Sequence, residues 1–467
     1  MSRTPEIAFL SAVEARKAFQ AKNLSPVELT QAVLERIDQH NQRYNAYCLV
    51  DAESAMAQAR ASEERWMRGE PFGKVDGIPI AIKDLILTRG WPTLRGSFAI
   101  NPNQDWRDDD PSVERFRRSG AVLLGKTTTC ELGWKGVTDS PLTGITRNPW
   151  NESLTSGGSS GGSAVAVVLG MTTLALGTDG GGSTRIPASF CGCVGLKPTF
   201  GRVPVWPTNP FGTLRHTGPM ARTVEDIALM MDVIARPDAR DWYALPDDSM
   251  NYSQALTGGV KGLRIAYIPQ FGSVQVDPEV AVAVRGAAKA FENLGAHVEE
   301  MDAPFEDPLD LMATLWYTGA AQVVSGYGPE ARAKMDPGLL ETAADGSSYS
   351  LMRYLEVIMQ RTNLGIRLSQ FHEHFDLLLT PTLPIPAFEA GYEVPRGWPG
   401  RRWLTWTPFT YPFNLTQQPA ISVPCGMTTS GLPIGLQLVG AKYKDALVLR
   451  AAQAYESAAP LHRRPPV

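Results

Sequence analysis

This chain of 467 residues has little excess charge, few cysteines and no long apolar run. Its net charge is −4, so no basic surface for nucleic acid is expected. No window holds the roughly 18 uninterrupted apolar residues of a membrane-spanning helix, and the first residues, Met-Ser-Arg-Thr-Pro-Glu, lack the apolar core of a signal peptide. Five cysteines are few and odd in number, which is typical of a reducing compartment, so we expect a cytoplasmic protein.

The sequence also lacks the spacing of a metal site. Cys191 and Cys193 flank a glycine, but no second Cys or His pair follows at a zinc-like interval. In His372-Glu373-His374 the imidazoles are two residues apart, which in a helix puts them on different faces. We therefore expect structural thiols and no metal ion.

Glycine and serine, by contrast, are concentrated in two turns, 157–162 and 180–182, which enclose an apolar segment. Glycine lets backbone N–H groups come close to a ligand because it has no Cβ. A serine hydroxyl beside such N–H groups is what acyl transfer needs, a nucleophile next to donors for the oxyanion. A flexible linker is the alternative, but a linker is not interrupted by Ala-Val-Ala-Val-Val-Leu or closed by Arg-Ile-Pro.

Two sequence blocks resemble the amidase signature family. They are 157–163, Gly-Gly-Ser-Ser-Gly-Gly-Ser, and 177–187, Gly-Thr-Asp-Gly-Gly-Gly-Ser-Thr-Arg-Ile-Pro. Further matching blocks extend the resemblance over about 6–458. It implies a Ser–cis-Ser–Lys triad, in which Ser183 is the nucleophile and Ser159, after a cis peptide bond, is the second serine.

The resemblance also implies the other parts of the site. The N–H groups expected to bind the oxyanion are those of Gly180, Gly181, Gly182 and Ser183. Gly180 stands where the family usually has threonine, a change that keeps each backbone donor. Asp179 and Arg185 are expected to be buried supports of the nucleophile loop. No metal or organic cofactor is implied.

The third triad position is expected at Lys83, which ends the apolar, partly β-branched run 77–82. Such a run predicts a buried strand. Most lysines at strand ends extend to solvent and have no catalytic role. A basic, neutral lysine requires burial to lower its pKa from about 10.4 to between 7 and 8, which costs roughly 4 kcal/mol. The segment 77–84 matches the family's Gly-Ile-Pro and Lys-Asp elements, so we assign Lys83 as the base.

A different motif indicates nucleotide binding. Residues 120–127, Gly-Ala-Val-Leu-Leu-Gly-Lys-Thr, satisfy the G-x-x-x-x-G-K-[ST] pattern of a phosphate-binding loop. That loop is polar and exposes its N–H groups, whereas Ala-Val-Leu-Leu predicts a strand, with a helix before it at 112–118. A paired strand has no N–H groups left for phosphate. A phosphate-binding loop therefore stays a remote alternative.

The rest of the chain predicts an α/β protein. Ser25-Pro26-Val27-Glu28 is a capping box that begins a helix. A strand at 263–267, a helix at 278–294 and a strand at 297–299 give the alternation typical of an α/β sheet. With the resemblance, we expect the amidase signature fold, a mixed, mostly parallel sheet surrounded by helices, as a single domain over 1–467.

Two stretches, about 305–370 and 388–412, match no family motif and are expected on the substrate side of the site. The first is predicted to be helical. The second is dense in Pro, Trp and Arg, and either an ordered surface loop or a substrate-binding loop fits it. Their aromatic residues suit an apolar pocket unless they are simply core. Because few fixed charges other than Arg401 and Arg402 occur there, a charged substrate is disfavoured.

We therefore expect a hydrolase that cleaves the C–N bond of a neutral, fairly hydrophobic small-molecule amide. Candidate substrates are an anilide, an aryl or fatty amide, or an aryl carbamate (urethane), and esters should also react. The main alternative is the glutaminase component of a glutamine-dependent tRNA amidotransferase, which carries Gln where this chain has Ile186. We expect neither a nucleic-acid partner nor a membrane span, and we leave a homodimer open.

Overall fold

The computed structural model of the protein describes residues 4–272, 274–461 and 463–466. Its α-helices are α1 Thr4–Ala8, α2 Ala12–Gln20, α3 Pro26–Tyr44, α4 Ala52–Arg68, α5 Pro111–Arg118, α6 Gly161–Val168, α7 Arg185–Cys191, α8 Val224–Ile234, α9 Pro278–Asn293, α10 Leu309–Ser325, α11 Pro329–Arg332, α12 Pro337–Ser347, α13 Leu351–Phe371, α14 Pro412–Leu415 and α15 Asp445–Ala458. Its strands are β1 Tyr47–Val50, β2 Pro79–Lys83, β3 Val122–Thr127, β4 Asp139–Ser140, β5 Gly144–Ile145, β6 Arg147–Asn148, β7 Asn151–Thr155, β8 Leu174–Asp179, β9 Val194–Lys197, β10 His216–Ala221, β11 Arg264–Tyr267, β12 His297–Glu300, β13 Leu377–Pro381, β14 Ala420–Met427 and β15 Pro433–Gly440.

One 11-stranded sheet runs through the molecule in the order β1-β3-β2-β8-β10-β9-β14-β15-β13-β11-β12. Parallel pairs form two blocks, β3-β2-β8 and β13-β11-β12. The strands between these blocks, and β1 at the edge, pair antiparallel. The expected mixed α/β sheet is confirmed. Every strand pair within the two blocks is parallel, and every other pair of this sheet is antiparallel.

Local sequence signals agree with the elements that form. Helix α3 begins at the predicted capping box, where the Ser25 hydroxyl accepts from the Glu28 N–H and the Glu28 carboxylate accepts from the Ser25 N–H. The predicted strand–helix–strand unit is β11–α9–β12, and its two strands pair in parallel. None of the described helices is both long enough and apolar enough to cross a membrane.

Strand β3 contains six of the eight residues that match the phosphate-loop pattern, 122–127 of 120–127. It is buried along its whole length and pairs with β1 on one side and β2 on the other. The Lys126 ammonium lies inside the protein, where it donates to the Ile86 carbonyl at 2.6 Å and to Thr93 Oγ1 at 2.8 Å. The strand interpretation is confirmed, because neither the backbone nor the lysine faces a phosphate site.

The closely spaced thiols and imidazoles are not arranged around a common point. Cys191 and Cys193 are free and buried, and burial raises the pKa of Cys193 to about 12. His372 and His374 follow α13 in a turn, so the expectation that they lie on different faces of a helix does not apply to them. Within the described ranges no group of three or more His, Cys, Asp or Glu side chains is placed to hold a metal ion.

Two hydrophobic clusters fill the interior. The larger one joins the N-terminal helices, the sheet, α8, α9 and α15. The second is rich in aromatic residues and contains Trp134, Trp316, Trp403, Trp406 and Phe409. Many of the residues of this second cluster come from helices α10–α13 and from 388–412. The helices confirm the helical prediction for 305–370.

Candidate active site

Three short segments bring polar side chains to one edge of the sheet. Lys83 is the last residue of β2, Ser159 lies between β7 and α6, and Ser183 lies between β8 and α7. Strands β2 and β8 are adjacent and parallel. Their carboxyl ends therefore lie side by side, which brings Lys83 and the turn 180–183 together, as is usual for sites of α/β sheets.

The two glycine-rich turns pack too closely for side chains. A Cβ on Gly158 would lie 2.4 Å from the carbonyl carbon of Val137, and one on Gly181 would lie 2.7 Å from the Trp403 ring. The peptide bond between Gly158 and Ser159 is cis. Glycine is thus required here by the approach of neighbouring atoms, which keeps both serines on the surface of a cleft.

Lys83 is fully buried and surrounded by hydroxyl groups. Its Nζ lies 2.7 Å from Ser159 Oγ, 2.8 Å from Ser160 Oγ and 2.9 Å from Thr178 Oγ1. Burial, together with the positive charge of Arg215, lowers the pKa of Lys83 to about 7. The alternative of a lysine extended to solvent is therefore wrong, and the amine is partly neutral near neutral pH.

Ser183 lines the same cleft as Ser159 and is 3% exposed. In the described part of the chain, the N–H groups of Gly180, Gly181 and Ser183 have no hydrogen-bond acceptor. The N–H of Gly182, in contrast, donates to the Asp179 carboxylate at 2.8 Å. Gly182 was expected to be an oxyanion donor, but its N–H is already used to hold the turn.

A buried ion pair holds the turn 180–183 in place. Arg185 Nη2 and Nε donate to the two carboxylate oxygens of Asp179 at 2.8 and 3.0 Å. The same carboxylate accepts from the Thr184 N–H and from Asn414 Nδ2. Burial would raise the pKa of Asp179, but the charge and hydrogen bonds of Arg185 and the bond from Asn414 hold it below its ordinary value. The loop thus carries a permanent carboxylate that orients its backbone.

Above the serines the cleft has a volume of about 420 Å³, a size typical of small-molecule sites. Its apolar lining includes Leu85, Leu132, Phe211, Trp316, Val323 and Tyr327. Phe211 and Trp316 stack with their ring centroids 4.2 Å apart. Arg95 and Arg215 also line the cleft. The site therefore combines an apolar wall with two guanidinium groups.

Only one of the two motif-free stretches reaches the cleft. Residues of 305–370 contribute Trp316, Gln322, Val323, Gly326 and Tyr327. No residue of 388–412 lines it, contrary to the expectation for that stretch. Trp403 and Trp406 are core residues, and Arg402 pairs with carboxylates of Glu341 and Glu393. The second stretch supports the wall from behind, with Trp403 against Trp316 at a centroid distance of 5.4 Å.

Several residues of the site were not found by sequence reasoning. Ser160 and Thr178 lie inside the two glycine-rich blocks, so the sequence around them could have indicated that they belong to the site. Arg95, Phe211 and Arg215 had no such signal, because they come from turn-rich segments far from those blocks in the chain. Only the folded sheet brings them to the cleft.

Comparison with known proteins agrees with this geometry. A family model described as Amidase matches residues 28–449. The chain belongs to the amidase family. This amidase is 36% identical over 461 residues to an acylamidase of Rhodococcus erythropolis, covering 97% of this chain and 96% of that protein. It is 37% identical over 491 residues to a glutamyl-tRNA(Gln) amidotransferase subunit of Chloroflexus aggregans, covering 99% of each.

Among solved structures, the amidase is similar to that of a bacterial aryl acylamidase belonging to the amidase signature enzymes. The TM-score is 0.90 at 30% sequence identity, and the likeness covers 97% of each chain. The expected amidase signature fold is thereby confirmed. The protein is an enzyme that hydrolyses amide C–N bonds.

Proposed function

We propose that this amidase hydrolyses amides that have an apolar aryl or acyl portion, through an acyl-enzyme on Ser183. The observation that carries the proposal is the environment of Lys83. A buried lysine with a pKa near 7, 2.7 Å from Ser159 Oγ and in the cleft that holds Ser183, is suited to accept a proton at neutral pH.

In the proposed reaction Ser183 Oγ attacks the carbonyl carbon. Its proton passes to Ser159, which gives its own proton to neutral Lys83. The N–H groups of Gly180, Gly181 and Ser183 bind the oxyanion, and donors of this kind contribute about 3–4 kcal/mol each in known oxyanion holes. Reversal of the relay protonates the departing amine, and water then cleaves the acyl-enzyme.

The apolar wall of the cleft is the reason for proposing an apolar substrate. Phe211, Trp316 and Tyr327 present aromatic surface beside Ser183, and such surface favours an anilide, an aryl or fatty amide, or an aryl carbamate. A carbamate presents the same carbonyl carbon to the serine. The expectation of a neutral substrate rested only on the scarcity of charged residues in 305–370 and 388–412. Two arginines of the cleft, Arg95 and Arg215, come from other segments and were not considered in it. The apolar part of the proposal therefore has the stronger support.

Two experiments test the proposal. One is labelling by a serine-directed fluorophosphonate, and the other compares a panel of substrates. The panel is acetamide, glutamine, a nitroanilide and a nitrophenyl carbamate at equal concentration. We expect the two aryl substrates to have the highest kcat/KM and Ser183→Ala to lose both labelling and hydrolysis, while Ser348→Ala, at an exposed serine, keeps both. Labelling of Ser183→Ala would refute the nucleophile, and a preference for acetamide would refute the aryl substrate.

A second candidate is the glutaminase component of a tRNA amidotransferase. It is favoured by the 37% identity to the amidotransferase protein from Chloroflexus aggregans. Ile186, the residue that speaks against this candidate in the sequence, is fully buried under the nucleophile loop, and the cleft lining does not include it. Ile186 therefore cannot argue against glutamine through contact with the substrate. It argues against this candidate only because the amidotransferase proteins carry Gln at that position. Glutamine as the preferred substrate of the panel would replace the first proposal by this one.

A further inference from the structure

Two arginines line the cleft without a carboxylate partner. Arg95 and Arg215 both face the cavity that holds Ser159 and Ser183. Among the described residues neither guanidinium lies within 4.0 Å of a carboxylate oxygen. The three arginines that are most shielded from solvent, Arg185, Arg202 and Arg402, each have such a partner.

Arg95 is held by its backbone and not by its side chain. Its carbonyl accepts from the Leu132 N–H at 2.8 Å, which fixes the start of the side chain at the cleft wall. Its Nε is buried and has no partner among the residues that the structure describes. A buried donor without an acceptor is unfavourable, so the site gains when an incoming group accepts from it.

Arg215 is similarly under-used. Its side chain makes one long hydrogen bond, from Nη1 to the Pro207 carbonyl at 3.4 Å. Asp110 and Asp241 attract it and Arg95 repels it, while burial lowers the pKa of Arg215 to about 10. The guanidinium therefore stays charged at neutral pH. The cleft therefore holds two guanidinium groups, and among the described residues neither has a carboxylate oxygen within 4.0 Å.

We infer that Arg95 and Arg215 form a carboxylate-binding subsite, so that the favoured substrates are apolar amides that also carry a carboxylate. The inference rests on the proposed amidase function and adds a specificity determinant to it. A guanidinium matches a carboxylate because its planar N–H groups donate in pairs to the two oxygens. The aromatic wall holds the body of the same substrate.

Two matched pairs of amides test the subsite in the wild-type enzyme. Butyryl and succinyl 4-nitroanilide differ by a carboxylate on the acyl side, and 4-methylacetanilide and 4-acetamidobenzoate differ by one on the amine side. We expect the acid to have the higher kcat/KM in at least one pair, by about 10-fold or more, as hydrogen bonds to charged groups imply. Equal or higher kcat/KM for the neutral amide in both pairs would overturn the inference.

Variants connect the preference to the two arginines. Arg95→Gln and Arg215→Gln should each reduce the acid's advantage at least about threefold, mainly through KM, and the double variant should abolish it. Arg118→Gln, at an exposed arginine on α5, is the matched control and should leave the advantage unchanged. An advantage that persists in the double variant would overturn the inference.

Two further measurements separate charge recognition from loss of the site. Fluorophosphonate labelling of Ser183 shows that a variant has an assembled site, and a wild-type salt titration needs no variant, since the acid's advantage should fall as ionic strength rises. An advantage that is independent of salt would count against charge recognition. If none of the four amides is cleaved, the proposed function fails. If the neutral amides are cleaved as well as or better than the acids, only the carboxylate subsite fails.

Discussion

The floor and the wall of the cleft are built in different ways. The floor, which is made of Lys83, Ser159 and Ser183 with their neighbours, consists of buried polar groups on strand ends and glycine-rich turns. The apolar wall and the two guanidinium groups beside it, Arg95 and Arg215, are together called the wall below. They come largely from loops and helix α10, and among the described residues neither guanidinium has an ionic partner. In our proposal the floor acts only on the amide group, at its carbonyl carbon and its departing nitrogen, whereas the wall distinguishes one amide from another.

The largest effect is expected at the centre of the floor. Lys83→Ala should lower kcat/KM by about 10⁴-fold or more, because residues that act as a unit lose almost all activity when one is removed. The rate of hydrolysis of a nitroanilide measures it, and thermal unfolding reports whether the variant is folded. Lys289→Ala, at an exposed lysine, should keep full activity. Activity of Lys83→Ala near that of wild type would mean that another group is the base.

The ion pair beneath the floor should matter mainly for stability. Asp179→Asn leaves the Arg185 guanidinium buried without a charged partner, which should lower the free energy of unfolding by about 3–5 kcal/mol. The exposed pair Asp345–Arg401 provides the control, since Asp345→Asn should cost at most about 1 kcal/mol. Denaturant unfolding of both variants makes the comparison. Equal losses in the two would show that burial does not strengthen the Asp179 contact.

Activity should follow the titration of Lys83. Burial lowers the pKa of this amine to about 7, so its protonated form predominates below that pH and its neutral form above it. Since only the neutral amine accepts a proton, kcat/KM for an unionised amide should rise about tenfold per unit below pH 7 and level off above about pH 8. A profile measured from pH 5 to 9 on a nitroanilide tests this. A flat profile, or one that falls as pH rises, would contradict the base assignment.

The smallest effect is expected at the wall. Phe211→Leu removes the ring that stacks on Trp316, and aromatic pairs contribute about 0.5–1.5 kcal/mol beyond burial of area. We expect kcat/KM for a nitroanilide to fall about two- to tenfold, while kcat/KM for acetamide, which does not reach the ring, changes little. Phe72→Leu, at an exposed phenylalanine, is the control. An equal loss of kcat/KM for the nitroanilide and for acetamide would mean that Phe211 supports the fold and does not contact the substrate.

Most of the floor was predictable because each of its three main residues stands in a distinctive local pattern of the sequence. Ser159 and Ser183 stand in glycine-rich blocks whose composition already indicates acyl transfer, and Lys83 ends an apolar run that predicts a buried strand. The prediction failed at Gly182, since sequence cannot show that the Asp179 carboxylate takes its N–H. It also missed the hydroxyls of Ser160 and Thr178 around the lysine.

The amino-acid sequence by itself determined the α/β class, the buried strand before Lys83 and the two serine turns, because each depends on local patterns of apolar residues and glycine. The sequence also indicated that 305–370 would reach the substrate side, but the tertiary structure alone decided which arginines line the cleft. Arg95 and Arg215 are 120 positions apart by their residue numbers, and no local pattern relates them. They share a cleft because the sheet order places distant segments side by side. Contacts between segments so distant in the chain are set by packing of the whole molecule, and substrate selectivity depends on those contacts.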